Sequence, residues 1–291
     1  MPEFPDLTVY VESLEQRIRG RRLTGIRIAS PFLLRTVSPG VDDVVDREVK
    51  GVRRLAKQLV MHLVGEMFIV IHLMIAGRLR WYDAPRPVPK RNGLAAFDFD
   101  AGTLILTEAS RKKRASLHLV EGVDALASLD PGGAEIFAID LTEFGERLVA
   151  TPHTVKRALT DPRTFAAIGN AYSDEILFEA RLSPFKLGRR MSDEEVRRLY
   201  DACRAVLARW TDTLRADARG KFPTKVTAFQ PAMAVHGKYR QPCPVCGAPV
   251  QRVVRAENEF NYCPGCQTDG RILADRSLSR LLKDSYPKRI P

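Results

Sequence analysis

The chain has 291 residues, 45% of them hydrophobic and 28% charged, which fits a soluble globular protein of one large or two smaller domains. Lysine and arginine number 46 against 35 acidic residues, and the resulting net charge of +11 favours a polyanionic partner, either nucleic acid or a membrane surface. The most apolar stretch, residues 59–77, is interrupted by His62, Gly65, Glu66 and His72, which excludes it as a membrane span.

The chain begins MPEFPD, and this opening has two interpretations. A small second residue lets Met1 be trimmed, and Pro2 and Glu3 are then simply a solvated chain end. Alternatively, trimming leaves Pro2 with a free secondary amine that acts as a nucleophile, and Glu3 beside it moves protons. The opening alone leaves both interpretations standing.

The first half of the chain is predicted to be one helix followed by strands. Residues 7–19 place Leu7, Val11, Leu14 and Ile18 at helical spacing, and Gly20 can end that helix. Strand-length segments follow at 23–29, 67–74, 77–83, 95–100 and 103–109. The apolar run at 59–77 suits two strands joined at residues 65–66, and residues 100–102 give a hairpin turn signal.

The second half is predicted to be helical. Ser192 and Glu195 form a capping box, and an apolar stripe along one helix face follows it. The stripe contains Val196, Leu199, Cys203, Val206, Leu207 and Trp210. Cys203 is therefore interpreted as a packed core thiol. The arginines on the other faces, Arg197, Arg198, Arg204 and Arg209, are interpreted as a solvated surface. Residues 84–92 form a proline-rich basic loop, and residues 121–150 connect the two halves.

Four cysteines near the end have the spacing of a zinc ribbon. Cys243 and Cys246 form one C-x2-C pair, and Cys263 and Cys266 form another after sixteen residues. Each pair can present two thiolates to one tetrahedral ion, with a β-hairpin between the pairs. Two disulfides are the alternative, but the acidic first twenty residues resemble no secretory signal, so we expect a reducing compartment. Four thiolates leave no open coordination position, so the zinc is expected to be structural.

Three features together resemble the formamidopyrimidine-DNA glycosylase/endonuclease VIII family. They are the MPEFPD start, the string AIGNAYSDEILFEARLSP at 167–184 followed by the capped helix, and the four-cysteine ribbon. The resemblance runs in order from residue 1 to 285. It implies an α+β fold with an N-terminal two-layered β-sandwich and flanking helix, a helix–two-turn–helix domain and a C-terminal zinc-ribbon β-hairpin. The domains expected on this basis are 1–122, 151–232 and 233–285, with 123–150 as the interdomain connection.

The resemblance also implies a chemistry for the opening residues. In the family Met1 is removed, and Pro2 then matches the nucleophile that attacks C1′ of a damaged nucleotide, while Glu3 matches the carboxylate that transfers protons. The residue types suit these roles. An α-amino group has a pKa near about 8, against about 10.4 for lysine, so a useful fraction is unprotonated at neutral pH. A secondary amine also gives an iminium that carries its positive charge without any deprotonation.

Other family positions carry over one at a time. Lys57 matches a phosphate-gripping lysine, His72 a histidine near the lesion phosphates, and Asn170 the asparagine at the helix–two-turn–helix turn. Ile75 aligns with a methionine that fills the hole left by a flipped base. Lys156 matches a lysine of the segment that enters the helical domain. These residues are the expected DNA contacts, together with Arg111 in the basic loop and Asn258 in the finger.

Besides Ile75, two positions and one loop depart from the family pattern. Asp6 stands where a glutamate is usual, one methylene shorter. Asn258 occupies the position of an arginine that grips both phosphates around the flipped nucleotide, with Arg252 or Arg255 as possible substitutes nearby. The loop at 108–116, EASRKKRAS, lacks the aromatic residue that usually helps to fill the hole in the stack.

The resemblance therefore implies a bifunctional DNA glycosylase/AP lyase that flips a damaged nucleotide, excises the base and cleaves the strand by β(,δ)-elimination. Its expected partner is damaged DNA, duplex or partly single-stranded, with one structural zinc and no organic cofactor. We expect no membrane partner and a monomer in a bacterial cytoplasm, associated with the nucleoid. Two alternatives stay open: an AP lyase with little glycosylase activity, and a protein that has lost chemistry and only marks lesions.

Overall fold

A computed structural model of the protein describes residues 1–224, 226–227, 229–255, 258–275, 279–281 and 288–290. The chain forms two compact units. The N-terminal unit comprises Met1–Pro131 and Trp210–Thr227, and the C-terminal unit comprises Gly132–Arg209 and Ala228–Pro291. No helix among the described residues is long and apolar enough to cross a membrane.

The N-terminal unit contains one long helix, eight strands and a short helix. Helix α1 spans Phe4–Ile18. The strands are β1 (Leu23–Ile28), β2 (Val49–Leu55), β3 (Gln58–Leu63), β4 (Met67–His72), β5 (Gly77–Tyr82), β6 (Gly93–Phe99), β7 (Gly102–Glu108) and β8 (Ser116–Glu121), and helix α2 spans Val123–Ala127. They form two antiparallel four-stranded sheets, ordered β1-β6-β7-β5 and β2-β3-β4-β8. The predicted helix and the hairpin at residues 100–102 are confirmed.

The alternation of side chains explains the long apolar run at 59–77. Leu59, Met61 and Leu63 of β3 point into a core that apolar residues of α1 and both sheets share. The intervening Val60 and, on β4, Phe68 point to the other face, where Leu126 of α2 covers them. Both faces of this hairpin are therefore apolar, and Gly65 and Glu66 turn the chain with positive φ angles of 82° and 53°. The predicted division into two strands is confirmed.

The C-terminal unit is mainly helical and ends in a hairpin. Its elements are α3 (Leu141–Ala150), α4 (Val155–Thr160), α5 (Asn170–Glu179), α6 (Asp193–Ala218, whose end belongs to the N-terminal unit), β9 (Gln251–Arg255), β10 (Asn258–Tyr262) and α7 (Pro264–Gln267). Ser192 and Glu195 form the predicted capping box, each side chain accepting a hydrogen bond from the other residue's backbone N–H. β9 and β10 pair as the antiparallel hairpin predicted between the cysteine pairs.

The arginines of α6 do more than cover a solvated surface. Arg198 donates to the backbone carbonyl of Ala180 at 2.7 Å, and Arg204 donates to that of Ile136 at 3.2 Å. Arg209 pairs with Glu179 at 3.1 Å. The first two bonds hold irregular segments against the helix, because a guanidinium offers several donors at the end of a long stem. The sequence pattern contains no sign of these acceptors.

Candidate functional site

The opening residues are part of the folded structure. Glu3 is the N-cap of α1, and its backbone N–H donates to Oδ2 of Asp6 at 2.9 Å. Pro5 lies in the first helical turn, where a missing N–H costs nothing. Pro2 is buried, and Glu3 is 2% exposed. The interpretation of a solvated chain end therefore does not hold.

The electrostatics of the chain terminus suit a nucleophile. Burial lowers the pKa of the terminal amine, with Arg78 and Lys57 acting in the same direction and the carboxyl groups of Glu3 and Asp6 opposing them. In the chain as described this amine belongs to Met1. Removal of Met1 would transfer it to Pro2, the neighbour of Glu3. A lowered pKa leaves more of the amine unprotonated at neutral pH and therefore reactive.

Asp6 has a structural position behind these residues. It is fully buried, and burial raises the pKa of its carboxyl group to about 7. Oδ2 caps the helix through the N–H of Glu3, whereas Oδ1 is buried without a hydrogen-bond partner among the described residues. The shorter side chain at this position thus serves the start of α1 and does not reach the surface.

Lys57 lies near the carboxylate of Glu3, and His72 lies near Lys57. Lys57 follows Ala56, which turns the chain between β2 and β3 with φ of 48°, and burial lowers the pKa of its amine while Glu3 opposes the shift. At the end of β4, Nδ1 of His72 accepts a hydrogen bond from the Met74 N–H at 3.0 Å. Burial, helped by Lys57, lowers the pKa of His72 to about 4. The imidazole is therefore neutral at pH 7, and the bond from Met74 assigns its proton to Nε2.

Ile75 projects from a braced turn that follows β4. Its side chain is 59% exposed. Arg78 donates to the carbonyl oxygens of Ile75 at 3.1 Å and Gly77 at 2.6 Å, and Met74 holds a positive φ of 51°. A strained backbone that persists beside a cluster of reactive groups indicates a functional constraint. The turn presents an apolar tip next to His72.

The basic loop at residues 109–115 is stabilised by hydrogen bonds to Glu108, which precedes it. Glu108 is 1% exposed, and its carboxylate accepts hydrogen bonds from the backbone N–H groups of Arg114 and Ala115 at about 3.0 Å. Lys113 donates to the carbonyl oxygen of Glu108. Residues 111–114 are exposed, so Arg111 and Lys112 are accessible to solvent.

In the C-terminal unit, Lys156 has a different position from the one expected of a DNA contact. It is 8% exposed, and its Nζ donates to Asn170 O and Ser173 Oγ, each at 2.8 Å, and to the carboxylate of Asp174. These acceptors use all three of its N–H donors. Lys156 therefore fixes the first turn of α5 and has no donor left for phosphate.

Asn170 begins helix α5, and its side chain reaches the hairpin. Its Nδ2 donates to the carbonyl oxygen of Glu259 in β10 at 2.5 Å. Gly169 is the N-cap and supplies no capping side chain. A helix N-terminus of this kind favours anions, because backbone N–H groups and the helix dipole point toward them.

A buried polar network that sequence reasoning missed ties α5 to the segments around the hairpin. Oδ2 of Asp174 contacts Nδ1 of His236 at 2.7 Å and accepts from the N–H of Asn261 at 3.0 Å. Glu175 accepts from the backbone N–H groups of residues 234–236 at 2.8–2.9 Å. The only signal in the sequence is the pair of carboxylates within GNAYSDEIL, because two acidic residues directly before an apolar run need partners if they are buried.

The four cysteines of the ribbon converge on one point. Their Sγ atoms lie within 4.8 Å of one another, with Cys243 to Cys266 at 3.8 Å and Cys246 to Cys263 at 3.4 Å. Four sulfurs about 2.3 Å from a central zinc would be about 3.8 Å apart, so this set fits a tetrahedral site. No disulfide joins them. The zinc is structural, one ion per chain. Cys203 is buried in the apolar stripe of α6, as predicted.

The finger hairpin contains Asn258, which replaces the family's arginine, and the two arginines considered as its substitutes, Arg252 and Arg255. Asn258 and Arg255 pair in the backbone register, but their side chains lie outside what the structure describes. Arg252 donates to Glu259 at 3.0 Å, and its guanidinium lies 4.3 Å from the ring centroid of Tyr239. Arg252 is therefore already engaged within the finger.

Comparison with known proteins gives matches along most of the chain. Residues 1–115 match the family model described as "Formamidopyrimidine-DNA glycosylase N-terminal domain", residues 130–218 match its H2TH domain, and residues 240–268 match a "Zinc finger found in FPG and IleRS". Formamidopyrimidine-DNA glycosylase of Chloroflexus aurantiacus is 31% identical over 281 residues, covering 92% of this chain and 98% of that protein. The Thermus thermophilus protein of the same name is 32% identical over 279 residues, covering 93% of this chain and all of that one.

One solved structure extends the comparison to the fold. A complex between the Lactococcus lactis FPG (MutM) protein and DNA containing FAPY-dG has a TM-score of 0.81 and 24% identity, covering 91% of this chain and all of that one. The predicted α+β fold is confirmed by this match, by the two antiparallel sheets and by the matched H2TH and zinc-finger domains.

Proposed function

The chain belongs to the formamidopyrimidine-DNA glycosylase family, and on that premise we propose that it is a DNA glycosylase and AP lyase whose nucleophile is the amine of Pro2. The observation that carries the proposal is the folded N-terminus. Pro2 is buried at the start of a helix, and burial lowers the pKa of the terminal amine next to it, which Met1 carries in the chain as described; Glu3 opposes the shift, and Arg78 and Lys57 add to it. A solvated end would have none of these properties.

The proposed reaction starts with the lone pair of the Pro2 nitrogen. It forms a bond to C1′, and the glycosidic electron pair leaves with the base, which takes up the proton that the Pro2 nitrogen loses. The C1′–O4′ bond then opens, Glu3 protonates O4′, and the nitrogen becomes an iminium. That cation acidifies the C2′ proton. Loss of this proton moves an electron pair toward C3′, and the 3′ phosphate leaves. Water then releases the sugar remnant from Pro2.

The remaining residues bind the DNA backbone in this proposal. Lys57 supplies a cation, and His72 supplies a neutral N–H donor beside it. Asn170 offers phosphate the N-terminus of α5, while Lys156 positions that turn and makes no contact of its own. All of these residues belong to one chain, so the proposal requires only a monomer. The positive net charge supports a place on the nucleoid.

Reductive trapping tests the central step. With sodium borohydride and a duplex that contains one abasic site, the iminium should be reduced to a stable covalent protein–DNA adduct. A mixture that cleaves abasic DNA and yields no adduct would refute a Schiff-base mechanism. A mixture with neither cleavage nor adduct, but with selective binding to the abasic duplex, would instead support the lesion-marking alternative.

Replacing Lys57 by alanine should change the salt dependence of DNA binding. If Lys57 neutralises one phosphate, the slope of log K against log salt should become less steep by about 0.9, with similar weakening on every sequence. The measurement is fluorescence anisotropy with abasic duplexes at several salt concentrations. Lys50→Ala is the matched control, because it removes the same charge from the exposed far end of β2. An unchanged slope would mean that Lys57 does not contact phosphate.

The departures from the family pattern predict weak excision of bases from intact duplexes. Ile75 can insert apolar bulk, but the loop at 109–115 offers no aromatic partner, and Asn258 cannot grip two phosphates as an arginine would. Charge-assisted contacts of that kind contribute about 1.5–3 kcal/mol. An abasic site needs no base expelled, so the lyase step suffers least. We therefore propose that the enzyme favours lesions in weakly paired or single-stranded DNA.

Asn258→Arg should raise excision of 8-oxoguanine paired with cytosine more than it raises cleavage of abasic DNA. The restored contact holds the flipped nucleotide, which matters only when a base must be expelled. Single-turnover rates on both substrates measure the effect, and Gln251→Arg adds the same charge elsewhere on the hairpin as a control. Efficient excision by the unmodified protein would show that other residues have taken over these roles.

A further inference from the structure

The sheet that carries His72 carries a second histidine on the same face. In the register of β4 and β8, His72 pairs with Ser116 and Val70 pairs with His118. Ile69, Ile71, Leu117 and Leu119 point into the shared core, so the residues between them point to the opposite face. His118 is therefore a diagonal neighbour of His72 across two adjacent strands, within about 8 Å.

An arginine continues this row beyond β8. The segment at 33–36 runs along the free edge of that strand. Arg35 N donates to Leu117 O at 2.9 Å, Leu117 N donates to Leu33 O at 2.8 Å, and Leu34 forms a parallel bridge with Leu117. Because Leu34 packs against the core together with Leu117, Arg35 points to the same face as His118. Arg35 is exposed.

The row is basic, and the carboxylate of Glu3 acts on its first member, Lys57. Burial, helped by the Arg35 guanidinium, lowers the pKa of His118, just as burial and Lys57 lower that of His72. Neither histidine has a carboxylate among the groups that shift it. Strand β8 contains one acidic residue, Glu121. It pairs with Met67, at the end of the β4–β8 ladder opposite His72. The row therefore runs from the cation Lys57 through two neutral imidazoles to the cation Arg35.

We propose that Arg35 and His118 bind a second phosphate of the DNA strand whose first phosphate is bound by Lys57 and His72. The inference rests on the proposed DNA-binding function of that first pair. Two strand spacings of about 4.8 Å separate the backbone of His72 from that of Arg35. One phosphate group is too small to bridge this distance, whereas a second phosphate of the same strand can lie over it. A row of donors in which neither histidine has a carboxylate acting on it fits a polyanionic backbone, and its continuity with Lys57 favours DNA over an acidic protein segment.

Paired substitutions in protein and DNA test this assignment. Duplexes with one abasic site are made with a single neutral methylphosphonate at each backbone position in turn, and their affinities are measured for the wild type, Arg35→Ala and Lys57→Ala. Arg35→Ala should weaken binding to the unmodified duplex and have no effect at one methylphosphonate position. That position should differ from the one at which Lys57→Ala loses its effect. Coupling of both variants to the same phosphate, or no coupling of Arg35 to any, would overturn the proposal.

The salt dependence of binding distinguishes the role of Arg35, a cation, from that of His118, a neutral hydrogen-bond donor. The wild type should lose affinity when salt rises from about 50 to about 200 mM, and Arg35→Ala should lose about 3.5-fold less. This factor is the fourfold ratio of salt concentrations raised to the power of about 0.9, the salt slope of one phosphate contact. His118→Ala should weaken binding a few-fold with an unchanged slope, and His118→Gln, which keeps an N–H donor, should restore part of the loss. A slope change for His118→Ala at pH 7.5 would contradict the neutral imidazole described for the site.

Arg21→Ala is the matched control, because Arg21 is exposed and its backbone pairs with Val49, at the end of β2 opposite Lys57. If Arg35→Ala and Arg21→Ala weaken DNA binding equally, the weakening is explained by the change in net charge alone, and a specific site is refuted. Thermal unfolding midpoints should stay unchanged for both, since each side chain is exposed. If Lys57 shows its phosphate coupling and Arg35 shows none, only this inference fails. If neither shows any, the proposed DNA-binding role of the first pair fails as well.

Discussion

Blocking the N-terminal amine is expected to abolish the covalent adduct with abasic DNA. An N-terminal extension converts the Pro2 nitrogen into a tertiary amide, which has no lone pair available for attack on C1′. Adduct formation in borohydride should fall below detection, and single-turnover cleavage should fall by about a thousandfold or more. The same extension placed at the C-terminus should leave both unchanged. An N-terminally extended protein that forms adduct as well as the free protein would refute Pro2 as the nucleophile.

Pro2→Gly and Glu3→Gln separate the role of the nucleophile from that of the proton donor. Glycine keeps an amine but loses the secondary nitrogen, so trapping should weaken severely without any loss of affinity for abasic DNA. Glu3→Gln keeps the amine and removes the proton donor, and loss of a general acid typically lowers a rate by about 10²–10⁴-fold. We expect adduct to form slowly with Glu3→Gln, because the nucleophile remains. Both variants need their mass measured to confirm that Met1 has been removed.

Loss of the zinc is expected to remove DNA binding and leave the N-terminal unit folded. A zinc-ribbon owes its folding to the ion, with apparent binding free energies of about 10–16 kcal/mol in finger peptides. Cys263 is fully buried, and its backbone N–H donates to Gln267 Oε1 at 2.8 Å. Gln267 in turn donates to Leu182 O at 2.9 Å, just past α5. The disturbance therefore reaches the helix that Asn170 begins.

The test compares Cys263→Ser with Cys203→Ala. The first should contain no zinc and show no detectable binding to abasic DNA, a loss well beyond the about 1.4 kcal/mol of a tenfold weakening. The second removes a buried thiol from α6 and should keep its full zinc content. Circular dichroism should show that Cys263→Ser retains most of its secondary structure, because the core of α1 and the two sheets contains no cysteine. Full affinity in metal-free protein would show that the finger is dispensable.

The sequence predicted those strands and helices whose apolar residues follow a single period, that of a strand or that of a helix. The hairpin of β6 and β7 and the long helix α6 are examples, since alternation and a capping box are local signals. Strand β2 is harder, because its register shifts between Val49 and Gly51 and its exposed face is basic. Helix α3 buries only Phe144 and Leu148, so the surrounding segment reads as a connection.

Sequence is most informative about the site where residue type decides function and least informative where a distant partner decides it. Pro2 is informative because a terminal secondary amine has few other uses, although the assignment came from family resemblance. Lys156 was expected to contact DNA, but its partner Asp174 lies eighteen residues further along the chain, and nothing local in the sequence pairs them. The row of His72, His118 and Arg35 arises from strand register, which periodicity alone does not supply.

The way Glu108 holds the basic loop has an evolutionary consequence. Its carboxylate bonds to the main-chain N–H groups of Arg114 and Ala115, and every residue type except proline supplies that donor. The shape of the loop is thus largely independent of which side chains it displays at positions 111 and 112. Mutations there can alter charge, bulk or aromatic character while the scaffold persists. Such changes can therefore accumulate one step at a time while the main-chain hydrogen bonds of the loop are kept.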